Sequence, residues 1–503
     1  MNFHRCLIAA AWFVLQSAGA SAVTVSDFYR EAEFDGVALS PNGDYMAAVV
    51  PLPDRSALTV IRMSDMKTTG VFKPEKDAYI DDFIWASDKR IIFNTAKKFG
   101  RLEMPMALPG MWAMDYDGSN KRNFTDERWI LSDLPQDEDN VLIQYYDPVF
   151  KTTYGLKNIR TGGLTPSKQV SPAKGTEFFS VGYTADASGR VLVFVAGREG
   201  TEEQIFYFRK SAEDPWTIAY DEGVLKEDID FIGFSQNGEL VYFRKENNAG
   251  GPDSIISINL SSHERLTVSK DDNVSPYASL ESPTDGSVFA IKYLDGQPRY
   301  DYLQPNSRFA VNHRKVRNSF PGQDVVPVGY TKGGGKAVYY VWLDRNPGDY
   351  YLYDEATGKA NYLLSDMEWL NPGEMAETKV ISYPARDGLV IEAFLTLPKN
   401  GKSNLPLVIN PHGGPFGIYD RWGFDPDIQM LASHGYAVMQ VNFRGSGNYG
   451  KRFEEAGYKQ WGKAMQDDLT DATQWAISQG IADPDRICIY GASYGAYAAM
   501  MGV

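Results

Sequence analysis

A polar turn followed by a short apolar run recurs along the first two-thirds of the chain. The turns are Asn42-Gly43, Ser87-Asp88, Glu138-Asp139, Ser188-Gly189, Asn237-Gly238, Asp285-Gly286 and Gly333-Gly334. Successive turns stand 45 to 51 residues apart, and the runs that follow them are rich in β-forming residues. A period of roughly 40–50 residues with several strands per unit is typical of propeller blades. The pattern therefore predicts an all-β seven-bladed propeller over residues 23–370. Two packed β-sandwich sheets with accidental spacing are the alternative.

After residue 371 the pattern changes to short apolar strands that alternate with a segment of helical spacing. Strands are predicted at 405–410, 436–442 and 486–490, and a helix at 465–479. Strands that alternate with helices predict an α/β domain with a largely parallel sheet. Residues 371–503 are therefore a second domain.

The segment Gly491-Ala492-Ser493-Tyr494-Gly495 matches G-x-S-x-G between a predicted strand and an alanine-rich helix start. In such a nucleophile elbow, the glycines leave room for a sharp turn that exposes the serine hydroxyl at the carboxyl edge of the sheet. The amino terminus of the following helix favours a developing negative charge. We predict that Ser493 is the nucleophile of an α/β-hydrolase domain.

A second motif, His412-Gly413-Gly414-Pro415, directly follows a predicted strand. An oxyanion hole needs two donors aimed at one point, and glycines let the backbone approach that point closely. We predict one donor at the amide of Tyr494 and the other within Gly413-Gly414. This fold places its base histidine after the nucleophile, so we interpret His412 as a residue that orients the loop by hydrogen bonds.

These motifs, with Asn442-Phe443-Arg444-Gly445-Ser446-Gly447 and the preceding propeller, resemble the prolyl oligopeptidase family. The resemblance covers nearly the whole chain after residue 22. Prolyl oligopeptidases and dipeptidyl peptidases IV carry a tyrosine at the position of His412. The His-Gly-Gly version is similar to the acylaminoacyl-peptidase and related bacterial dipeptidyl-peptidase branches, in which the second glycine, Gly414 here, gives the oxyanion donor.

The resemblance implies a serine peptidase that hydrolyses short peptides through an acyl-enzyme on Ser493, with the propeller restricting access for folded proteins. In this family the catalytic aspartate and histidine follow the serine, whereas this sequence ends at Val503. A hydroxyl without a base is a poor nucleophile. We therefore expect that the sequence is incomplete, and that residues 1–503 alone neither catalyse nor fold a complete hydrolase domain.

Two sets of residues are candidates for substrate binding. Glu202 and Glu203 resemble the glutamate pair with which dipeptidyl peptidases bind a substrate amino terminus; a solvated surface loop is the alternative. Arg444 follows a predicted strand near the active-site edge. Its guanidinium either contacts substrate or forms a structural salt bridge with Asp467 or Asp468.

Charge and composition restrict the partners. The net charge is −15 and the chain has no basic cluster, which argues against nucleic acid and anionic membrane surfaces. The sequence contains no metal-ligand cluster and no phosphate-binding glycine loop, so neither a metal nor a cofactor is predicted. Peptides are the expected partners, and the oligomeric state is not set by the sequence.

Residues 1–22 have the pattern of a secretory signal peptide. His4 and Arg5 precede an apolar run, and small residues follow at Ala20-Ser21-Ala22. A retained membrane anchor is the alternative, although the run is too short to span a bilayer. Removal leaves one cysteine, Cys488, which we expect to be a buried thiol without a disulfide partner. The prediction is an exported protein, periplasmic or extracellular, that is free of the membrane once the signal is removed.

Two other functions fit parts of the sequence. One is an exported esterase, because an elbow and an oxyanion loop serve any acyl transfer. The other is a propeller binding protein with a degenerate hydrolase domain. The intact elbow weighs against this second reading, since an inactive domain has no need of a strained turn.

Overall fold

The computed structural model describes residues 23–99, 105–124, 129–134, 137–147, 151–167, 172–173, 178–186 and 189–502. The predicted signal peptide and Ser188 of the fourth turn lie outside the described residues. Between residues 37 and 365, the described chain forms seven small antiparallel sheets, each built from consecutive strands. The seven-bladed propeller is thus confirmed.

The blades follow one another in chain order, after a short helix α1 (Val25–Phe28). Blades one to three contain β1 (Val37–Leu39), β2 (Tyr45–Leu52), β3 (Arg55–Arg62), β4 (Lys67–Phe72); β5 (Ala78–Ser87), β6 (Arg90–Lys97), β7 (Met106–Ala107), β8 (Met111–Asp115), β9 (Arg122–Phe124); and β10 (Trp129–Ser132), β11 (Asn140–Asp147), β12 (Lys151–Asn158), β13 (Leu164–Pro166). Blades four and five contain β14 (Phe178–Ala185), β15 (Val191–Arg198), β16 (Gln204–Phe208), β17 (Thr217–Asp221); then, after helix α2 (Glu222–Leu225), β18 (Ile229–Phe234), β19 (Leu240–Lys245), β20 (Ser254–Asn259), β21 (Arg265–Lys270). Blades six and seven contain β22 (Pro276–Glu281), β23 (Val288–Asp295), β24 (Gln297–Asp301), helix α3 (Arg308–Ser319); and β25 (Asp324–Tyr330), β26 (Lys336–Leu343), β27 (Asn346–Asp354), β28 (Lys359–Ser365).

The recurring turns join the first and second strands of the blades. Asn42-Gly43 lies between β1 and β2, and Asn237-Gly238 lies between β18 and β19. Gly43 and Gly238 have φ angles of +78° and +67°, which glycine adopts without steric cost. The period of the sequence is therefore the length of one blade.

The last blade packs directly against the first and closes the ring. Val37 and Leu39 of β1 share one apolar cluster with Val338 of β26 and Tyr350 of β27. Within the described sheets, each blade is formed by consecutive strands and none is exchanged between the first blade and the last. Side-chain packing therefore closes this propeller.

The sixth blade differs from the other six described blades, because it has three strands that are followed by helix α3. Phe309 of the helix packs with Phe289 of β23, and Val316 packs with Val325 of β25. The helix therefore contacts both the sixth and the seventh blade. Sequence analysis did not predict it.

The second domain begins with a short 3₁₀ turn and contains one sheet and four helices in the described residues. The turn is Pro372–Glu374; the strands are β29 (Thr378–Pro384), β30 (Val390–Thr396), β31 (Leu405–Pro411), β32 (Ala437–Asn442) and β33 (Ala482–Ile489); the helices are α4 (Pro426–Ser433), α5 (Lys451–Glu455), α6 (Ala464–Ser478) and α7 (Tyr494–Met501). Helix α6 confirms the helix predicted at 465–479.

The strand order of this sheet is β29-β30-β32-β31-β33. β31 pairs in parallel with both of its neighbours, whereas β30 pairs antiparallel with β29 and β32. The sheet is therefore mixed, which corrects the expectation of a largely parallel one. Within the described residues, β33 lies at one edge of the sheet and Cys488 on this strand is exposed.

Helices cover both faces of the sheet. Met465 of α6 and Ala498 of α7 pack on one face with Met439 of β32, and Ile428 of α4 packs on the other face with Val438. Strand ends, and with them the loops that follow β31, β32 and β33, are thereby held in fixed relative positions.

Helix α1 packs on this second domain, although its residues were assigned to the propeller. Phe28 contacts Leu370 and Met375 in one apolar cluster, and Tyr29 Oη donates to Asp427 Oδ1 at 2.5 Å.

Within the described residues, no helix is both long and apolar enough to cross a bilayer.

Candidate active site

Ser493 lies on a strained turn between β33 and α7. Its φ and ψ angles are 54° and −118°, a combination that residues with a Cβ rarely adopt. It is also the N-cap residue of α7, where the helix dipole favours negative charge. Gly491 permits this turn, because a Cβ at that position would lie 2.7 Å from the carbonyl oxygen of Pro411 at the end of β31. The strand-turn-helix context that the motif requires is therefore present.

The loop after β31 lies directly against the nucleophile. A Cβ built on Gly413 would lie 3.4 Å from Ser493 Cβ and 3.9 Å from Ser493 Oγ. The amide of Tyr494 is at the first position of α7, where an N–H has no partner within its own helix. In the described part of the chain, neither Tyr494 N–H nor Gly414 N–H donates to a protein acceptor. Their role as oxyanion donors stays a prediction, and both groups are available for it.

His412 contacts this loop and its neighbour. Its Nδ1 lies 2.7 Å from Gly413 O, and its Nε2 lies 2.8 Å from Ser446 Oγ in the loop after β32. The ring stacks on Phe443 with centroids 4.4 Å apart and an interplanar angle of 17°. Burial lowers the pKa of His412 to about 4, so the imidazole is neutral at pH 7. These contacts agree with a residue that orients the loop.

Asn442, which sequence analysis did not single out, holds the far part of the same loop. Its Oδ1 accepts from Asp420 N at 2.7 Å, and its Nδ2 donates to Asp420 O at 3.0 Å. The same Nδ2 donates to Tyr449 Oη at 2.7 Å, which donates to Glu392 Oε1 at 2.7 Å. The buried Asn442 side chain thus forms hydrogen bonds with both the backbone N–H and the backbone C=O of Asp420, as the backbone of a neighbouring β-strand would.

The propeller contacts this loop as well. Arg421 donates to Tyr277 Oη of β22. Trp422 lies against Trp342 of β26, with ring centroids 6.4 Å apart. The loop that begins beside Ser493 therefore ends on the sixth and seventh blades.

Arg444 forms a buried structural salt bridge, which corrects its assignment to substrate binding. Its Nη2 lies 2.7 Å from Asp468 Oδ1, and its Nη1 lies 2.7 Å from Asp387 Oδ2. Its Nε and backbone N both donate to Asp468 Oδ2 at 2.9 Å. Only 8% of the Arg444 side chain and none of the Asp468 side chain is exposed. The guanidinium is thus occupied by two carboxylates, and of the two partners weighed from the sequence, Asp468 is the correct one.

The model of the prolyl oligopeptidase family matches residues 422–503. That segment contains the elbow and the loop that holds Ser446. Over these residues the hydrolase region is similar to the prolyl oligopeptidase family. Dipeptidyl aminopeptidase BIII of Pseudoxanthomonas mexicana is 32% identical to this chain over 282 residues, which cover 54% of this chain and 40% of that relative. Dipeptidyl peptidase family member 6 of Caenorhabditis elegans is 33% identical over 246 residues, or 44% of this chain and 33% of the relative.

The chain therefore spans less than half the length of these curated relatives in the matched segments. Among solved structures, prolyl oligopeptidase B from Galerina marginata superposes with a TM-score of 0.68 over 95% of this chain and 72% of that chain, at 16% sequence identity. At this identity the likeness concerns the fold: a propeller followed by an α/β-hydrolase domain.

A cavity of about 580 Å³ lies between the propeller and the hydrolase region. The hydrolase domain contributes the loop 447–458, which follows Ser446. The charged side chains that line the cavity are Glu202, Glu222, Asp228, Asp230, Arg244, Glu246, Asp253, Lys451 and Glu454. Arg244 pairs with Asp253 at 2.6 Å and Lys451 with Glu246 at 2.8 Å. Five carboxylates thus remain without a cation from the lining, and the cavity is acidic.

The two glutamates singled out from the sequence do not act as a pair. Glu202 lines the acidic cavity. Glu203 instead lies 2.8 Å from Lys226 Nζ and 3.2 Å from Arg198 Nε, which lowers its pKa. A role in binding an amino terminus thus stays a prediction for Glu202 and loses its support for Glu203.

Sequence reasoning missed the other acidic residues of the cavity. Glu222 begins α2, Asp228 precedes β18 and Asp230 lies in it, so two strands, β16 and β17, and helix α2 separate β18 from Glu202. These residues meet only where the fourth and fifth blades are packed together, and no local sequence motif indicates this. In the described residues, no group of three or more His, Cys, Asp or Glu side chains is arranged to hold a metal ion.

Proposed function

We propose that this protein is a serine peptidase that hydrolyses short peptides through an acyl-enzyme on Ser493. The observation that carries the proposal is the strained Ser493 turn with two available amides beside it. Attack by Ser493 Oγ on the carbon of a peptide carbonyl would form a C–O bond. The carbonyl oxygen would then gain negative charge opposite these N–H groups. Collapse of this tetrahedral intermediate would break the C–N bond and release the amine, leaving the acyl-enzyme on Ser493. Water would then hydrolyse the acyl-enzyme and release the carboxylic acid.

The base for this step takes the proton from Ser493 Oγ and gives it to the leaving amine. His412 does not serve as this base, since both of its ring nitrogens face Gly413 and Ser446.

We further propose that the substrates carry a free amino terminus. An ammonium group gains from pairing with carboxylates in a partly enclosed site, and the acidic cavity adjoins the loop that contains Ser446. Both domains line this cavity, so a substrate must fit between them. This supports a preference for short peptides over folded proteins.

The test compares the wild-type protein with a Ser493→Ala variant on dipeptide arylamides. The expected result is hydrolysis by the wild type alone, with acetylation of the substrate amino terminus reducing kcat/KM at least tenfold. Hydrolysis by the variant would contradict the role of Ser493. Equal rates on free and acetylated substrates would contradict amino-terminal recognition, and hydrolysis of aryl esters without any arylamide would favour an esterase.

We also propose that the protein is exported, on the basis of the signal-like pattern of residues 1–22. Cell fractionation and amino-terminal sequencing of the natural protein test this. A mature amino terminus at Val23 in an exported fraction is expected, and a cytoplasmic protein that retains Met1 would contradict it.

A further inference from the structure

His412 and Ser446 take part in three contacts of hydrogen-bond length, but together they have only two protons to donate. Gly413 O, His412 Nδ1, His412 Nε2, Ser446 Oγ and Phe443 O form one chain with separations of 2.7 Å and 2.8 Å on the two sides of the ring. A third contact of 2.6 Å joins Ser446 Oγ to Phe443 O. Both ends of the chain are carbonyl oxygens, which only accept. A neutral imidazole and a hydroxyl supply two protons for these three contacts.

The backbone decides which contact lacks a proton. Phe443 O already accepts from the backbone N–H of Ser446 at 3.0 Å, so it does not need the hydroxyl. In the described part of the chain, no second donor reaches Gly413 O. Gly413 O, His412 Nε2 and Phe443 O all have a donor when Nδ1–H donates to Gly413 O and the hydroxyl of Ser446 donates to Nε2; the 2.6 Å contact between Ser446 Oγ and Phe443 O then carries no proton. In the other tautomer the hydroxyl donates to Phe443 O, but both Nδ1 and Gly413 O are left without a donor and their lone pairs face each other at 2.7 Å.

The orientation of Gly413 O also fixes that of the next amide. In a trans peptide, C=O and N–H point in opposite directions, and the cis bonds of the described chain do not include the one between Gly413 and Gly414. Holding Gly413 O against His412 therefore turns Gly414 N–H away from the ring. Stacking on Phe443 restrains rotation of the imidazole, which leaves the tautomer as the variable that sets this contact.

We propose that Ser446 is a positioning residue for the oxyanion hole: its hydroxyl selects the Nδ1–H tautomer of His412, and that tautomer holds the Gly413 carbonyl so that Gly414 N–H stays in the donor orientation. The inference rests on the proposed function for its kinetic consequence. Its structural part, the tautomer, does not depend on any activity. Without the hydroxyl, the tautomer in which Nε2 carries the proton is no longer penalised, and the peptide between Gly413 and Gly414 is free to rotate.

The direct test is the ¹⁵N chemical shifts of the His412 imidazole in the protein expressed from its complete gene. A protonated Nδ1 and an unprotonated Nε2 are expected in the wild type at pH 7. In Ser446→Ala, a mixture of tautomers is expected. A wild-type ring that carries its proton on Nε2 would overturn the inference, whatever the enzyme hydrolyses.

The kinetic test compares Ser446→Ala with Ser433→Ala. Ser433 also contacts a histidine, with its Oγ 3.2 Å from Nδ1 of the exposed His434, and it lies on α4, away from Ser493. Loss of one oxyanion donor costs about 10²–10³ in kcat, so partial loss of its orientation should lower kcat about 10- to 100-fold with KM within about twofold. Ser433→Ala should leave both unchanged. An unchanged kcat in Ser446→Ala, or a change in KM alone, would overturn the inference.

A double-mutant cycle separates positioning from general destabilisation. The amide of asparagine can place a donor near the position of Nδ1, so His412→Asn should retain more activity than His412→Gln. Ser446→Ala should cost little in the His412→Asn background, because no tautomer remains to be selected. Equal losses in both backgrounds would contradict the inference. If Ser493→Ala retained activity, the proposed function would fail, whereas the ¹⁵N result would still decide the tautomer.

Discussion

Gly495 lies so close to Pro411 that a Cβ at Gly495 would stand 2.2 Å from the carbonyl oxygen of Pro411. The second glycine of the elbow therefore packs on the end of the strand that leads into the oxyanion loop. The nucleophile and this loop are held together by backbone contact, which side chains would prevent. This explains why the spacing of the motif is strict on both sides of Ser493.

We predict that Gly495→Ala disrupts the elbow, because a backbone oxygen at this distance cannot move aside without moving β31. Gly413→Ala should leave the fold intact, since its Cβ would make ordinary contacts of 3.4 Å and 3.9 Å with Ser493. Thermal unfolding measures the fold, and labelling by a fluorophosphonate measures the reactivity of Ser493. A Gly495→Ala protein that is as stable and as reactive as the wild type would contradict the prediction.

Replacement of Arg444 by methionine should destabilise the hydrolase domain by about 3–5 kcal/mol, because it leaves the buried Asp468 without its partner. The matched control is Arg386→Met, which removes an exposed arginine paired with Asp467 and Asp471. Surface pairs contribute about 1 kcal/mol or less. Urea unfolding of the two variants gives the difference. Equal losses would show that Arg444 is not a structural residue of this kind.

Asp420 should make stability depend on pH. Burial, with a smaller effect of Asp425, raises its pKa from 3.8 to about 7, and its Oδ2 is buried without a hydrogen-bond partner in the described contacts. The folded state thus holds this proton more tightly than the unfolded state. Its contribution to stability is fully present below pH 3.8, declines as the unfolded chain ionises, and is lost by about pH 7.

The variant Asp420→Asn removes this decline. Relative to the wild type, its free energy of unfolding should therefore rise between pH 4 and pH 8, by an amount on the order of 4 kcal/mol. Denaturant unfolding at several pH values measures the difference, with the exposed Asp485→Asn as control. A difference between Asp420→Asn and wild type that does not vary with pH would rule out this account.

The acidic cavity gives a prediction about substrate affinity. Glu202→Gln and Asp230→Asn should each raise KM about tenfold for peptides with a free amino terminus, as expected for loss of one charge-assisted contact. Acetylated peptides should be unaffected. Glu203→Gln is the matched control, because Glu203 pairs with Lys226 and Arg198 instead of lining the cavity. A larger effect at Glu203 than at Glu202 would contradict the assignment.

Local features were predicted from the sequence, and features that depend on assembly were not. The elbow at Ser493 requires only a strand, a turn and a helix in succession, and the turn at Asn42-Gly43 needs only positive φ. The acidic cavity instead combines Glu202 with Asp230 and with a loop more than 200 residues away. Its composition depends on how the fourth and fifth blades meet the hydrolase domain.

Two features that the sequence left open or did not predict have the same origin. Arg444 follows a strand near the active-site edge, which suggested substrate contact, but whether its side chain turns outward or inward depends on Asp468 of α6. Helix α3 follows the three strands of the sixth blade, and its residues Phe309 and Val316 pack into the cores of two blades. In both cases a tertiary contact outweighs the local pattern.

The loop that starts at His412 touches Ser493 near one end, and near the other its residues Arg421 and Trp422 rest on Tyr277 and Trp342 of the propeller. The position of the loop beside Ser493 thus depends on contacts with both domains. If the domains part to admit a peptide, these aromatic contacts have to break, and the loop loses one of its supports. Under the proposed function, hydrolysis is therefore expected only while the two domains are in contact, when the substrate is already enclosed, and a peptide bound to the open form is expected to dissociate unhydrolysed.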